Sequence, residues 1–126
     1  MEAIILDTNI LIEILKNNQN TLKIVSSLEQ ELAISSITTM ELFYGARDKK
    51  ELLKLKKFIK LFSVIDLDKE ISQTSTTLIE TYAKNHSLSI RDSLIASTCK
   101  VHSLILFTYN KKDFRYIDGL KLYPED

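Results

Sequence analysis

The sequence predicts an α/β fold, a mainly parallel sheet with helices packed on both faces. Three observations carry this prediction. Short apolar runs alternate with longer segments of helical period, the pattern of strand–helix–strand crossover units. Two of the runs, AIIL at residues 3–6 and LILF at 104–107, have no polar member, as strands buried on both faces require. Two glycines and one proline in 126 residues are too few for the many tight turns of an all-β sandwich. The length suits one domain over 1–126, and 44% apolar with 27% charged residues is ordinary globular composition.

Residues 3–6 form a buried strand, stopped abruptly by Asp7, Thr8 and Asn9, and 10–16 a short helix. Asn20 is positioned to cap a second helix with Leu22, Val25 and Leu28 on one side. Residues 32–35 (LAIS) are the second strand, and 38–46 the helix after it, loosened at its end by Gly45. The segment 49–62 is strongly amphipathic, with Leu52, Leu55, Ile59 and Phe62 apolar and lysines between them. SVIDL at 63–67 is the third strand. Asp68 caps a long helix whose buried face carries Ile71, Leu78, Ile79 and Tyr82. Ser89 caps the next helix, with Leu94, Ile95, Thr98, Cys99 and Val101 inward. Residues 104–108 are a fourth strand and 120–123 a fifth, entered through a turn at Asp118 and Gly119.

Composition excludes several function classes. Seventeen basic and seventeen acidic side chains cancel, so any affinity for polyanions comes from a local patch. A single cysteine, Cys99, forms no internal disulfide framework and suits a reducing compartment. Two scattered histidines, His86 and His102, argue against a Cys/His zinc site. No apolar run approaches the length of a membrane span, and the first residues do not have the pattern of a signal peptide, so a cytoplasmic protein is expected.

Four acids stand out by position. Asp7 follows the first strand directly; Glu41 lies in the first turns of the helix after the second; Asp92 opens the helix capped by Ser89; Asp113 lies just past the fourth strand. In an open parallel sheet, ligands bind outside the carboxyl ends of the strands, so the four are expected to meet in one cleft. Carboxylates about 4 Å apart repel by roughly 4 kcal/mol at an effective dielectric near 20, which a divalent cation relieves. Oxygen ligands without Cys or His favour Mg²⁺ or Mn²⁺, ions that bind phosphate oxygens and activate water. Plainer readings stand beside this one. Thr38 to Glu41 and Ser89 to Asp92 both match the capping-box pattern, Asp7 also reads as a helix cap, and Asp113 as a solvated loop acid.

The same residues resemble a known family. Ile5-Leu6-Asp7-Thr8-Asn9 looks like the opening motif of PIN-domain ribonucleases, and Ser35 through Glu41 to Tyr44-Gly45 is similar to their second. Arg91-Asp92-Ser93-Leu94-Ile95-Ala96 resembles the third, and Phe107-Thr108-Tyr109-Asn110 through Asp113-Phe114 the last. The ordered match and the length resemble the VapC-type toxins of toxin–antitoxin pairs. The resemblance implies a three-layer α/β/α sandwich with a five-stranded sheet, and a Mg²⁺-dependent endoribonuclease acting on tRNA or other structured RNA. It implies Asp7, Glu41 and Asp92 as catalytic and metal-binding acids, with Asp113 as a fourth unless Asn110 takes its place. Thr8, Asn9 and Thr108 would orient the carboxylates. It further implies a homodimer, and a groove near 42–62 for an amphipathic antitoxin helix.

Residues 47–60 hold seven basic side chains against two acids, a possible phosphate contact that also reads as a solvated helix face. Arg47 belongs to that run; Lys111, Lys112 and Arg115 sit beside the proposed cleft and are the better candidates for RNA. Two other functions compete. A haloacid-dehalogenase-like phosphatase also begins with an Asp after its first strand, yet it needs a second Asp where this chain has Asn9. A PIN-like fold that only binds RNA or protein would not need the full set of acids.

Overall fold

The computed structural model describes residues 3–124. Five short strands, β1 (Ile4–Leu6), β2 (Leu32–Ser35), β3 (Ser63–Ile65), β4 (Ile105–Phe107) and β5 (Lys121–Tyr123), form one sheet in the order β3-β2-β1-β4-β5. Every neighbouring pair is parallel, with Ile5 level with Ala33 on one side and Leu106 on the other. β1 is therefore central, and its three side chains are wholly buried, as the AIIL run predicts. The first half of the chain builds the sheet to one side of β1 and the second half builds it to the other. The crevice at that reversal lies past the carboxyl ends of β1 and β4.

Six helices cover the two faces: α1 (Thr8–Leu15), α2 (Gln19–Ser27), α3 (Ser36–Tyr44), α4 (Lys49–Ile59), α5 (Lys69–His86) and α6 (Ile90–His102). The period-two alternation of β1 divides the core. Ile4 and Leu6 pack with Ile10, Leu11, Leu42, Leu55 and Ile59 from α1, α3 and α4. Ile5 points the other way, into Leu78, Ile95, Ala96 and Cys99 from α5 and α6. This is the expected α/β/α sandwich. Small residues let α5 and α6 approach closely: Ser75 and Ser93, both buried, meet hydroxyl to hydroxyl, and Ser93 also donates to the Ile90 carbonyl.

Local chemistry explains most boundaries. Asp48, Asp68 and Ser89 cap α4, α5 and α6 by accepting from the backbone N–H three residues on. The second helix is capped by Asn18, not by Asn20 as expected, because the Asn18 Oδ1 accepts from both Asn20 and Thr21. α3 starts two residues before its expected position because Ser35 accepts from the Ile37 N–H and nucleates the turn at once. Thr38 then falls inside the helix, fully buried, so the expected Thr38–Glu41 capping box does not form. Gly119 enters β5 at φ +79°, the left-handed turn that Asp118 and Gly119 predict. The apolar side of α4 divides: Leu55 and Ile59 are buried, whereas Leu53 and Leu61 lie 60% and 73% exposed, and all of the lysines of 47–60 face solvent.

Candidate active site

Asp7 leaves β1 and is at once the N-cap of α1, its Oδ1 accepting from the Thr8 N–H at 2.8 Å. At 1% exposure it is a carboxylate in the protein interior, so each of its oxygens needs a donor. Oδ2 receives the Thr108 hydroxyl at 2.8 Å from the end of β4, and the Asn9 amide lies 3.5 Å away. Asn9 ties the two strand ends together: its Nδ2 donates to Thr108 Oγ1 at 3.2 Å, and its Oδ1 accepts from the Tyr109 N–H at 3.1 Å. The Asn110 N–H also donates to Thr108 Oγ1, at 3.1 Å. Thr8, Asn9 and Thr108 thus hold the expected acids in place, whereas Asn110 contributes through its backbone.

The counter-charge comes from a residue for which the sequence analysis assigned no role. Arg91 donates from Nη2 to Asp7 Oδ1 at 2.7 Å and to Glu41 Oε1 at 2.9 Å, and from Nη1 to Asp92 Oδ1 at 2.8 Å. Its Nε adds a contact to Glu41 Oε2 at 3.1 Å, and Nη2 one to Thr8 Oγ1 at 3.0 Å. Thr8 donates in turn to Glu41 Oε1 at 2.6 Å and lies 2.9 Å from the Thr38 hydroxyl. Asp7, Glu41 and Asp92, far apart in sequence, therefore converge on one guanidinium. The local mark of Arg91 is weak: a cation in the first turn of a helix opposes the macrodipole, which an acidic neighbour offsets.

Exposure falls from Glu41 at 39% through Asp92 at 18% to Asp7 at 1%, so the cluster is a funnel that is open on its Glu41 side. Burial favours the neutral form of Glu41, yet the hydrogen bonds from Arg91 and Thr8 outweigh it and hold the carboxyl below its ordinary 4.5. Burial likewise opposes the charge on Arg91, and its bonds to Glu41, Asp7 and Asp92 override that, so the guanidinium keeps its proton more tightly than in water. Asp7 at the start of α1 and Asp92 in the first turn of α6 also sit where helix dipoles favour negative charge.

Asp113 lies apart from the Arg91 contacts, in a single 3₁₀ turn at Lys111–Asp113. Burial, and then the charges of Asp92 and Asp113, push the Tyr116 phenol above its ordinary 10.0. Among the basic candidates, Arg47 is 85% exposed and paired with Glu51, and Lys111 donates to the Pro124 carbonyl at 3.0 Å; Lys112 and Arg115 are exposed. A groove of about 340 Å³ opens beside Glu41, lined by Thr8, Ile12, Leu15, Leu42, Gly45 and Leu55.

The donor set fits a hard divalent cation. It is all oxygen and formally carries three negative charges, and its most buried member, Asp7, demands a positive partner. The histidines take no part: His86 stacks on Tyr116 at 4.2 Å, and His102 closes the far end of α6. As they stand, the acids are spread around the guanidinium. Among the described residues, no three acidic, histidine or cysteine side chains are gathered as a ready metal cage.

Known proteins resemble this chain in sequence and in fold. The family described as PIN domain matches residues 4–120. The chain is 30% identical over 127 residues to the tRNA(fMet)-specific endonuclease VapC of Shigella flexneri, covering 96% of each protein. It is 32% identical to Ribonuclease VapC1 of Methanocaldococcus jannaschii, covering 97% of this chain and 88% of the relative. Among solved structures, the DNA-bound VapBC of Salmonella typhimurium superposes with a TM-score of 0.82 at 27% identity, covering 97% of each chain. A toxin–antitoxin complex from Klebsiella pneumoniae superposes at 0.79 and 29%, covering 92% of this chain and 93% of that one.

Proposed function

The chain belongs to the PIN-domain family, and from that premise we propose that it is a metal-dependent endoribonuclease, the toxic member of a type II toxin–antitoxin pair. The observation that carries this reading is the convergence of Asp7, Glu41 and Asp92 on a single cationic point at the carboxyl edge of the sheet. Asn9 bears on the competing phosphatase reading: it stands where that chemistry needs a second acid, and both ends of its side chain are committed to Thr108 and Tyr109.

Asp7 and Asp92 would hold Mg²⁺, or Mn²⁺ in its place, with Glu41 at the open side and Asp113 as a fourth acid. When bound, the divalent cation supplies charge stabilisation on phosphoryl oxygen and acidifies a water for attack at phosphorus. The chain's own residues do the rest. Thr108 and Asn9 fix the rotamer of Asp7, so the carboxylate needs no reorganisation during the reaction. Glu41, reached from solvent and bonded by the Thr8 hydroxyl, offers a carboxylate able to orient or deprotonate a water. Lys112 and Arg115, exposed in the segment that follows β4, suit the RNA backbone, with Lys111 and Arg47 as further phosphate contacts.

The relatives named above include a tRNA(fMet)-specific endonuclease, which supports tRNA or another structured RNA as substrate. The groove beside Glu41, with the exposed side chains of Ile12 and Leu15 from α1 in its lining, suits an amphipathic helix of an antitoxin, and toxin–antitoxin complexes are among the structural neighbours. A homodimer fits the same reading. No helix of the described residues is long and apolar enough to cross a membrane, in keeping with action in the cytoplasm. The test is cleavage of end-labelled tRNA by purified protein. Strand scission with Mg²⁺ is expected, abolished by EDTA and by Asp92→Asn. Scission that survives both would refute the assignment.

A further inference from the structure

We propose that Arg91 is a built-in stand-in for the divalent cation: its guanidinium occupies the point where the acids converge, and metal loading requires it to swing out. The inference rests on the metal-dependent reading above and adds a competitor within the chain to it.

The geometry makes the two occupants mutually exclusive. Nη2 lies within 3.0 Å of three oxygens, those of Asp7, Thr8 and Glu41, and Nη1 takes Asp92. Asp7 Oδ1, the oxygen at 2.7 Å, has the Thr8 N–H as its one other donor among the described residues. A cation bound by Asp7 and Asp92 would have to enter the space that the guanidinium fills. With Arg91 inside, the acids are held around a planar group, and among the described residues they form no compact cage.

Arg91 is also free to leave. It is the second residue of α6, and its side chain is 30% exposed beside Ile90, which is 72% exposed. Rotation about the side-chain bonds alone takes the charge to solvent while the helix, capped by Ser89 and packed through Ile95, Ala96 and Cys99, stays in place. The acids and the Thr8 hydroxyl hold the cation at that helix end against a dipole that repels it. Loading is thus an exchange of one positive charge for two, and apparent metal affinity is lowered by the fraction of molecules that are closed.

The test uses the full chain and the metal alone. Calorimetric titration with MnCl₂ and MgCl₂ compares wild type with Arg91→Gln and Arg91→Lys. Arg91→Gln is expected to bind about tenfold tighter or more, as removal of a 90% closed competitor gives, with Arg91→Lys between. In wild type, the Arg91 Nε–Hε NMR signal should be protected from solvent exchange in EDTA and lose that protection at saturating Mg²⁺. This measurement decides the matter even if Arg91→Gln fails to fold. Equal or weaker binding by Arg91→Gln, or an Nε–Hε signal unchanged by Mg²⁺, overturns the proposal and leaves the nuclease reading intact. Binding by neither protein overturns both.

Discussion

Replacing Arg91 by Gln in metal-free buffer should cost far more stability than replacing any one of the acids it holds. Asp7 Oδ1 and Glu41 Oε1 lie on the same nitrogen at 2.7 and 2.9 Å, so they are within about 6 Å of each other and repel by about 3 kcal/mol at an effective dielectric near 20. The attraction of each acid for Arg91 is of similar size, about 4 kcal/mol at about 4 Å between charge centres. Removing one acid therefore removes attraction and repulsion together, and Asp92→Asn should shift stability by less than about 1 kcal/mol in either direction. Removing the guanidinium leaves three acids facing each other with Asp7 buried. Breaking a buried pair costs about 3–5 kcal/mol, and because Glu41 and Asp92 are partly screened we take about 3 kcal/mol. At about 4 °C per kcal/mol for a chain of this size, the Arg91→Gln midpoint should fall by about 12 °C. Circular dichroism melts in EDTA measure both variants. A midpoint within about 3 °C of wild type would show that the guanidinium does not neutralise the site, and equal losses in both variants would reduce the acids to structural caps.

Thr108→Val removes the hydroxyl that donates to Asp7 Oδ2 while keeping the shape of the side chain, and should slow RNA cleavage about 10–100-fold at saturating Mg²⁺. Single-turnover cleavage rates check it. Glu41 has its pKa lowered on folding, so its ionised form adds stability above about pH 4.5 that is lost as the pH falls through its folded value. Melts in EDTA should therefore decline below about pH 4.5, less steeply in Glu41→Gln. Cys99 is 1% exposed, and burial together with the Asp7 charge raises its thiol pKa, so iodoacetamide should label it only after unfolding, as mass spectrometry would show.

The parts of the fold legible in the sequence are those decided locally. AIIL and LILF announce strands buried on both sides, and β1 and β4 are adjacent at the centre of the sheet. Asp68 and Ser89 announce helix starts through a cap that needs only three residues of context. Asn18 and Asn20 are equally good caps by chemistry, and it is Asn18 whose Oδ1 takes the Asn20 and Thr21 N–H groups. Thr38 and Glu41 match a capping box, yet a stronger competitor three residues earlier, Ser35, had already begun the helix. That shift frees Glu41 to face Arg91, fifty residues away. Asp7 and Asp92 were legible because one directly follows a strand and the other lies in the first turn of a helix, whereas Glu41 is the sixth residue of α3 and was read from a helix start that lies two residues earlier than expected. Arg91 was not, because its partners lie on three different elements and no short pattern joins them. Its one local mark, a cation at the wrong end of a helix, has meaning only once acids are known to be near.

Manganese scatters X-rays anomalously, so crystals grown with Mn²⁺ place the ion directly. The account predicts one strong anomalous peak between the carboxylates of Asp7 and Asp92, with the Arg91 guanidinium displaced from them. A peak elsewhere, or none there at millimolar Mn²⁺ with Arg91 still seated on Asp7, would contradict it.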